Sequence, residues 1–193
     1  GGTGTLNINW FGMDPNNLPF GTHLYEVIDA NGCVLPGSVS ITEPSAITAI
    51  ESVTNVLCNG GSTGTATVIA NGGTGALTID WFGMDPNNLP FGTHSYEVID
   101  ANGCVLPGSV TITEPSSITT IESVTNVLCN GGSSGTAIVT PSGGTGTLTI
   151  DWFGMDPNNL PFGTHPYEVI DANGCVLPGS VTIAEPSAIT ASV

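Results

Sequence analysis

A fixed period runs through this chain, and it limits the possible folds more than any local feature does. Trp10, Trp81 and Trp152 are spaced by 71 residues, as are Cys33, Cys104 and Cys175, and the run Gly1-Gly2-Thr3-Gly4 returns at Gly72 and Gly143. Residue 1 therefore corresponds to position 72 of the next copy, which predicts a chain that begins part-way through a unit of a longer array. Three segments follow: 1–49 as the C-terminal part of a repeat, and 50–120 and 121–193 as complete repeats. They run into one another without a Gly/Ser tract, and Pro115 fixes a backbone angle at the junction, so the array is predicted to be stiff.

Within each unit the stretch Tyr96-Glu97-Val98-Ile99-Asp100-Ala101-Asn102-Gly103-Cys104, repeated at Tyr25 and Tyr167, joins a β-branched run to a turn and a cysteine. Asn-Gly between such runs predicts a β-hairpin closed by a type I′ turn, which needs positive φ at both central residues. Upstream, 50–58 and 65–70 read as strands separated by glycine-rich turns. Leu77, Ile79 and Trp81 alternate with Thr78 and Asp80, which puts the first three on a buried face and makes Trp81 the largest core residue. No apolar stripe of helical period lasts beyond one turn, so the fold class is all-β. About six short strands per unit predict a tandem array of small immunoglobulin-like β-sandwiches, with Trp10, Trp81 and Trp152 and Tyr25, Tyr96 and Tyr167 in the cores. Tyr96 is expected as a corner residue whose hydroxyl bonds nearby backbone.

A unit this small buries little apolar surface, so a covalent staple is valuable to it. The cysteines fit one disulfide per unit, Cys58–Cys104 and Cys129–Cys175, with the partner of Cys33 outside the sequence. Zinc is disfavoured, because there is no CxxC pair and only one His per unit. Disulfides place the chain in an oxidising compartment, periplasmic or extracellular.

With no Lys or Arg against 16 Asp and Glu, the chain offers a phosphate no cation, which argues against nucleic acid and anionic membranes as partners. Charged residues are nonetheless only 8% of the chain against 39% hydrophobic, so folding rather than disorder is expected. No apolar run is long enough to span a bilayer.

The chemistry-bearing residues are few. His94, like His23 and His165, reads as a loop residue bonded to its own turn, since no spacing suggests a nucleophile, base and orienting group; no catalytic residue is assigned and the chain is not expected to be an enzyme. Asp85, Asn87, Asn88, Asp100 and Asn102 are oxygen donors that suit calcium, but they are equally turn formers and match no EF-hand; the reading is no cofactor and no metal, with structural calcium as the alternative. Phe82, Met84 and Phe91 cluster beside the Asp-Pro-Asn-Asn loop, which makes Phe82, Met84, Asp85, Asn87, Asn88, Phe91 and His94 the candidate ligand or interface loop.

In order, the motifs are Val-Leu-Cys-Asn-Gly-Gly-Ser, Gly-Gly-Thr-Gly, Trp, Tyr-x-Val-x-Asp-Ala-Asn-Gly-Cys and Val-Thr-Ile-Thr-Glu-Pro. This set resembles the SprB repeat family and covers essentially the whole chain. Two features depart from the family pattern: Gly92-Thr93-His94-Ser95-Tyr96 stands where Gly-x-Tyr is usual, and the Asp-Pro-Asn-Asn loop is uncommon. The resemblance implies the repeat region of a cell-surface adhesin or extracellular filament of gliding bacteria, exported by the type IX system. The expected partners are neighbouring repeats, laterally packed identical chains and surface polysaccharide. The alternative is a carbohydrate- or calcium-binding module of a secreted protein.

Overall fold

The computed structural model describes residues 1–191, so the last two residues of the segment 121–193 lie outside the described part. Thirteen strands form five small antiparallel sheets, and no helix occurs among the described residues. The first sheet is β1 (Asn7–Asn9), β2 (Gly21–Ile28) and β3 (Val34–Ile41). A hairpin of β4 (Thr48–Thr54) and β5 (Thr65–Asn71) comes next, then a second three-stranded sheet of β6 (Thr78–Asp80), β7 (Gly92–Ile99) and β8 (Val105–Ile112). The pattern then repeats: hairpin β9 (Thr119–Thr125) and β10 (Thr136–Ser142), followed by β11 (Thr149–Asp151), β12 (Gly163–Ile170) and β13 (Val176–Ile183).

Each complete unit is thus a five-stranded sandwich, one strand fewer than expected, with a two-stranded hairpin laid on a three-stranded sheet. Period-two alternation sets the contact face. Ala66 and Val68 of β5 point inward against Tyr96 and Val98 of β7 and Val110 and Ile112 of β8, with Val56 and Leu89 closing the ends. The third unit repeats this core with Val127, Ala137, Val139, Leu160, Tyr167, Val169, Val181 and Ile183.

Tyr96, rather than Trp81, is the largest fully buried side chain. Trp81 packs half-buried against it, with ring centroids 5.2 Å apart. The reason lies across the ladder, where Tyr96 faces Gly108 and its ring lies so close over that residue that a Cβ there would come within 2.3 Å. A large ring therefore inserts where the opposite strand carries no side chain. The hydroxyl does not bond nearby backbone as a tyrosine corner would; it donates to the Glu51 carboxylate on β4, tying sheet to hairpin. Tyr167 donates in the same way to Glu122.

The Asp-Ala-Asn-Gly turn forms the expected hairpin but not the expected turn type. Gly103 has positive φ and Asn102 does not. Asp100 replaces the second left-handed residue as organiser: its Oδ1 accepts the N–H groups of Asn102 and Cys104, and its Oδ2 accepts that of Thr74. An aspartate that caps three amides can close a five-residue loop without a type I′ geometry.

Candidate functional site

Two features outside the cores can carry function: the junction between complete units and the exposed loop around Phe82.

At the junction the chain is held from both sides. Beyond β8, Thr113 donates its N–H to Asn55 Oδ1, Glu114 accepts the Gly60 N–H, and the Pro115 carbonyl accepts from Asn59 Nδ2 at 3.1 Å. The next unit takes over at once, as Gly144 donates its N–H to the Ser116 carbonyl at 2.9 Å. Gly143, at φ +85°, allows this approach, since a Cβ there would lie 2.0 Å from the Ser117 carbonyl oxygen. The connection is therefore a hydrogen-bonded strap.

The disulfide joins Cys58 to Cys175, which corrects both expected pairings. Strand length explains why Cys58 cannot meet Cys104. The Cys58 loop is fastened to residues 113–115 at the far end of β8, whereas Cys104 sits in the turn before it. Eight extended residues separate the two ends by about 25 Å, far beyond disulfide reach. Cys175, in the corresponding turn of the following unit, abuts the Cys58 loop, and Asn173 Nδ2 reaches the Leu57 carbonyl at 3.1 Å beside it. The bond therefore connects consecutive units and does not cross the core of one. Cys33, Cys104 and Cys129 are exposed free thiols.

Closing a loop across a sequence separation of 117 stabilises by about 5 kcal/mol in the chain-entropy account. The aspartates that organise the turns keep their charge readily. The Cys104 N–H holds the Asp100 carboxyl below the ordinary carboxylate range against the opposing effect of burial, and Asp29 is lowered first by the Thr3 N–H. For Asp171 burial pushes upward, but the N–H groups of Cys175, Thr145, Asn173 and Gly174 together leave it lowered. Burial, reinforced by the Glu51 carboxylate, pushes the Tyr96 phenol up to about 12.

The Phe82 loop is built on a strained residue. Phe82 has φ +54°, in the left-handed region that bulky residues rarely adopt, and Phe11 and Phe153 repeat it. Asp80 holds the bend by accepting the Phe82 N–H at 2.8 Å, and Met84 N–H closes onto the Trp81 carbonyl. Phe82 is 55% and Phe91 57% exposed, and their counterparts Phe11, Phe20, Phe153 and Phe162 are exposed too, so each unit presents two phenylalanines to solvent. Asp85 Oδ1 accepts from the backbone and side-chain nitrogens of Asn87, an Asx turn that occupies this oxygen. Asn88 donates its N–H to the Asp85 carbonyl. His94 is buried on strand β7 rather than in the loop, with Nε2 2.9 Å from the Pro90 carbonyl.

The structure thus gathers Phe82, Met84, Asp85, Asn87, Asn88 and Phe91 around one loop and places His94 beneath it as a support. Among the described residues, no three His, Cys, Asp or Glu side chains converge as a metal site would require. Leu89, not among the expected site residues, anchors the loop: it is 1% exposed and bridges to Gly64 through paired backbone hydrogen bonds. Its signal was an apolar residue recurring inside a polar loop at Leu18, Leu89 and Leu160.

The SprB repeat model matches the chain at residues 50–84 and 121–155, two stretches in the same register of the period. Each match covers a hairpin, the short strand after it, the tryptophan and the start of the Phe82-type loop. No curated protein and no solved structure matches the chain. Among the described residues, no helix is long and apolar enough to cross a membrane.

Proposed function

We propose that this chain, with its two SprB repeat matches, is a repeat region of a bacterial cell-surface adhesin or extracellular filament, working as a stiff, non-catalytic rod. The observation that carries the proposal is the Cys58–Cys175 bond between consecutive units, next to a connection hydrogen-bonded on both sides. A flexible tether would leave its linker solvated. The extracellular bacterial surface, reached through type IX export in a gliding organism, is the setting in which such a rod displays its loops many times over, multiplying weak contacts into avidity. Neighbouring repeats and laterally packed identical chains are the proposed partners.

Pulling the oxidised chain by its ends in a force experiment tests the rod. The bond hides the residues between Cys58 and Cys175 from tension. Full extension should therefore fall short of that of the reduced chain by about 400 Å, taking roughly 3.5 Å per hidden residue. Equal extensions in the two states would remove the mechanical basis of the proposal.

The exposed Phe82 and Phe91 favour a second reading, in which the loop binds the apolar face of a surface polysaccharide. Loop oxygens around Asp85 would be the ligands if calcium took part. Calorimetry with calcium and a glycan array on the intact chain decide this; silence in both leaves the structural role alone.

A further inference from the structure

The two outer faces of each complete sandwich differ in charge. On the three-stranded sheet Asp80 lies across from Glu97, and Asp151 across from Glu168, so two carboxylates share that face. The hairpin face carries none. The one acidic residue of each hairpin, Glu51 or Glu122, is directed inward to a tyrosine hydroxyl, and the outward positions of the strands hold only Thr, Ser, Ile and Asn. Ile50 pairs across from Ile69, while in the next unit Ile121 and Ile138 stand on the diagonal. Thr67 and Ile69 become Ile138 and Thr140, an exchange that keeps two isoleucines on the face.

Neighbouring units leave this face open. Ile50 is 67% exposed although a complete unit follows it, and Ile121 is 75% exposed although a complete unit precedes it; Ile69 and Ile138 are exposed likewise. A pleated surface of β-branched residues without charge suits packing against another sheet.

Charge selects the occupant. With 16 acidic residues and no Lys or Arg, a second copy of the chain brings no cation to any carboxylate, and two copies repel wherever their carboxylates meet. Contact through the sheet face would set Asp80 and Glu97 against their own kind, and contact through the Phe82 loop would do so with Asp80 and Asp85. The hairpin face is free of this penalty. We propose that the outward face of β4–β5, with its counterpart on β9–β10, is the surface through which two copies of this chain pack side by side, with Ile50, Ile69, Ile121 and Ile138 in the seam. The proposal rests on the reading of the chain as a rod with laterally packed copies, and it supplies the contact.

Area sets the strength of that contact. Seven-residue strands span about 23 Å and a hairpin is roughly 10 Å wide, so one pair of faces covers about 450 Å² counted on both copies. A stable complex needs roughly 1,200–2,000 Å². Each contact is therefore weak, and cohesion grows with the number of repeats engaged together.

Sedimentation velocity and methyl NMR on the intact oxidised chain, in EDTA and at rising concentration, test the surface. Reversible self-association should appear between about 0.1 and 1 mM, as befits so small an interface, with shifts at Ile50, Ile69, Ile121 and Ile138. Raising NaCl from about 20 to about 300 mM should tighten it several-fold, because screening relieves the repulsion between acidic chains. Thr67→Ile, which copies the residue at 138, should tighten it about 3- to 10-fold by adding apolar surface to the seam. The double variant Ile50→Glu, Ile121→Glu should weaken it at least about 10-fold by burying unpaired charge, with thermal unfolding unchanged because both positions face solvent. A monomer throughout this range, association seen only with calcium, association that survives the glutamates, or shifts centred on Phe82 and Phe91 would each overturn the proposal. None of these results bears on the rod itself, which the force experiment reads on single chains.

Discussion

The sheets β1–β3 and β6–β8 carry nearly the same sequence in the same register and differ in environment. Tyr25 pairs across from Gly37 as Tyr96 does from Gly108, and Trp10 packs on Tyr25 at 5.0 Å much as Trp81 does on Tyr96 at 5.2 Å. Yet Val98 and Ile112 are fully buried while Val27 and Ile41 are not. Local pairing and the aromatic stack are thus properties of the three-stranded sheet itself. Exclusion of water is supplied by the hairpin, and permanence by the disulfide one unit further on.

Four experiments probe that difference. The largest effect should come from the staple: Cys175→Ser is expected to lower the stability of the two joined units by about 5 kcal/mol in the chain-entropy account. Cys33→Ser, at an exposed free thiol, should change it by less than about 0.5 kcal/mol. Denaturant titration of the oxidised proteins reads both, and equal effects would mean that the staple does not couple the units. Next, Ile112→Ala beneath the hairpin should cost about 2–5 kcal/mol by loss of buried surface and a residual cavity. Ile41→Ala on the open sheet should cost under about 1 kcal/mol, because solvent already reaches the site. Thermal unfolding of both variants tests whether the hairpin makes the core.

The tyrosine between sheet and hairpin gives a smaller, pH-dependent effect. Since the folded pKa of Tyr96 is raised from 10.0 to about 12, its contribution is whole below pH 10 and is lost as pH rises through about 12. Tyr96→Phe should cost about 1.5–3 kcal/mol near neutrality, the value of a hydrogen bond to a charged acceptor, and should flatten part of this alkaline decline. The lowered carboxyls of Asp100 and Asp171 act at the other end: their contribution is present above the ordinary pKa of 3.8 and is lost as pH falls below it. Denaturation midpoints measured across the pH range show both limbs, and an alkaline limb unchanged in Tyr96→Phe would rule out the tyrosine–glutamate tie as its source. The smallest effect belongs to the strained loop. Phe82→Asn, which tolerates the left-handed conformation, should raise stability by about 0.5–1 kcal/mol. A loss of stability in calorimetry would show that the exposed ring is held by packing and is not kept for contact.

Much of the unit was legible because it depends on near neighbours in sequence. Asn102-Gly103 marked a hairpin, and the Asp-Pro-Asn-Asn run marked a turn-rich loop. Errors arose where a side chain acts across the ladder or between sheets. Tyr96 displaced Trp81 at the centre because Gly108 lies opposite it, Asp100 replaced a left-handed Asn as turn organiser, and Leu89 was hidden in a loop that otherwise reads as polar.

The cysteines mark where the sequence by itself stops. It determined the period, the strands, the all-β class, and that a cysteine of one kind pairs with a cysteine of the other. The separation of Cys58 from Cys104 is 46 and that of Cys58 from Cys175 is 117, one period more. In a chain that maps onto itself when shifted by 71, such pairings are indistinguishable by pattern. Only the tertiary structure decided between them, because the length of β8 puts the two cysteines of one unit at opposite ends and brings those of consecutive units together. The hairpin's role was decided in the same way, since what covers a sheet depends on the element packed against it and not on the strands that compose it.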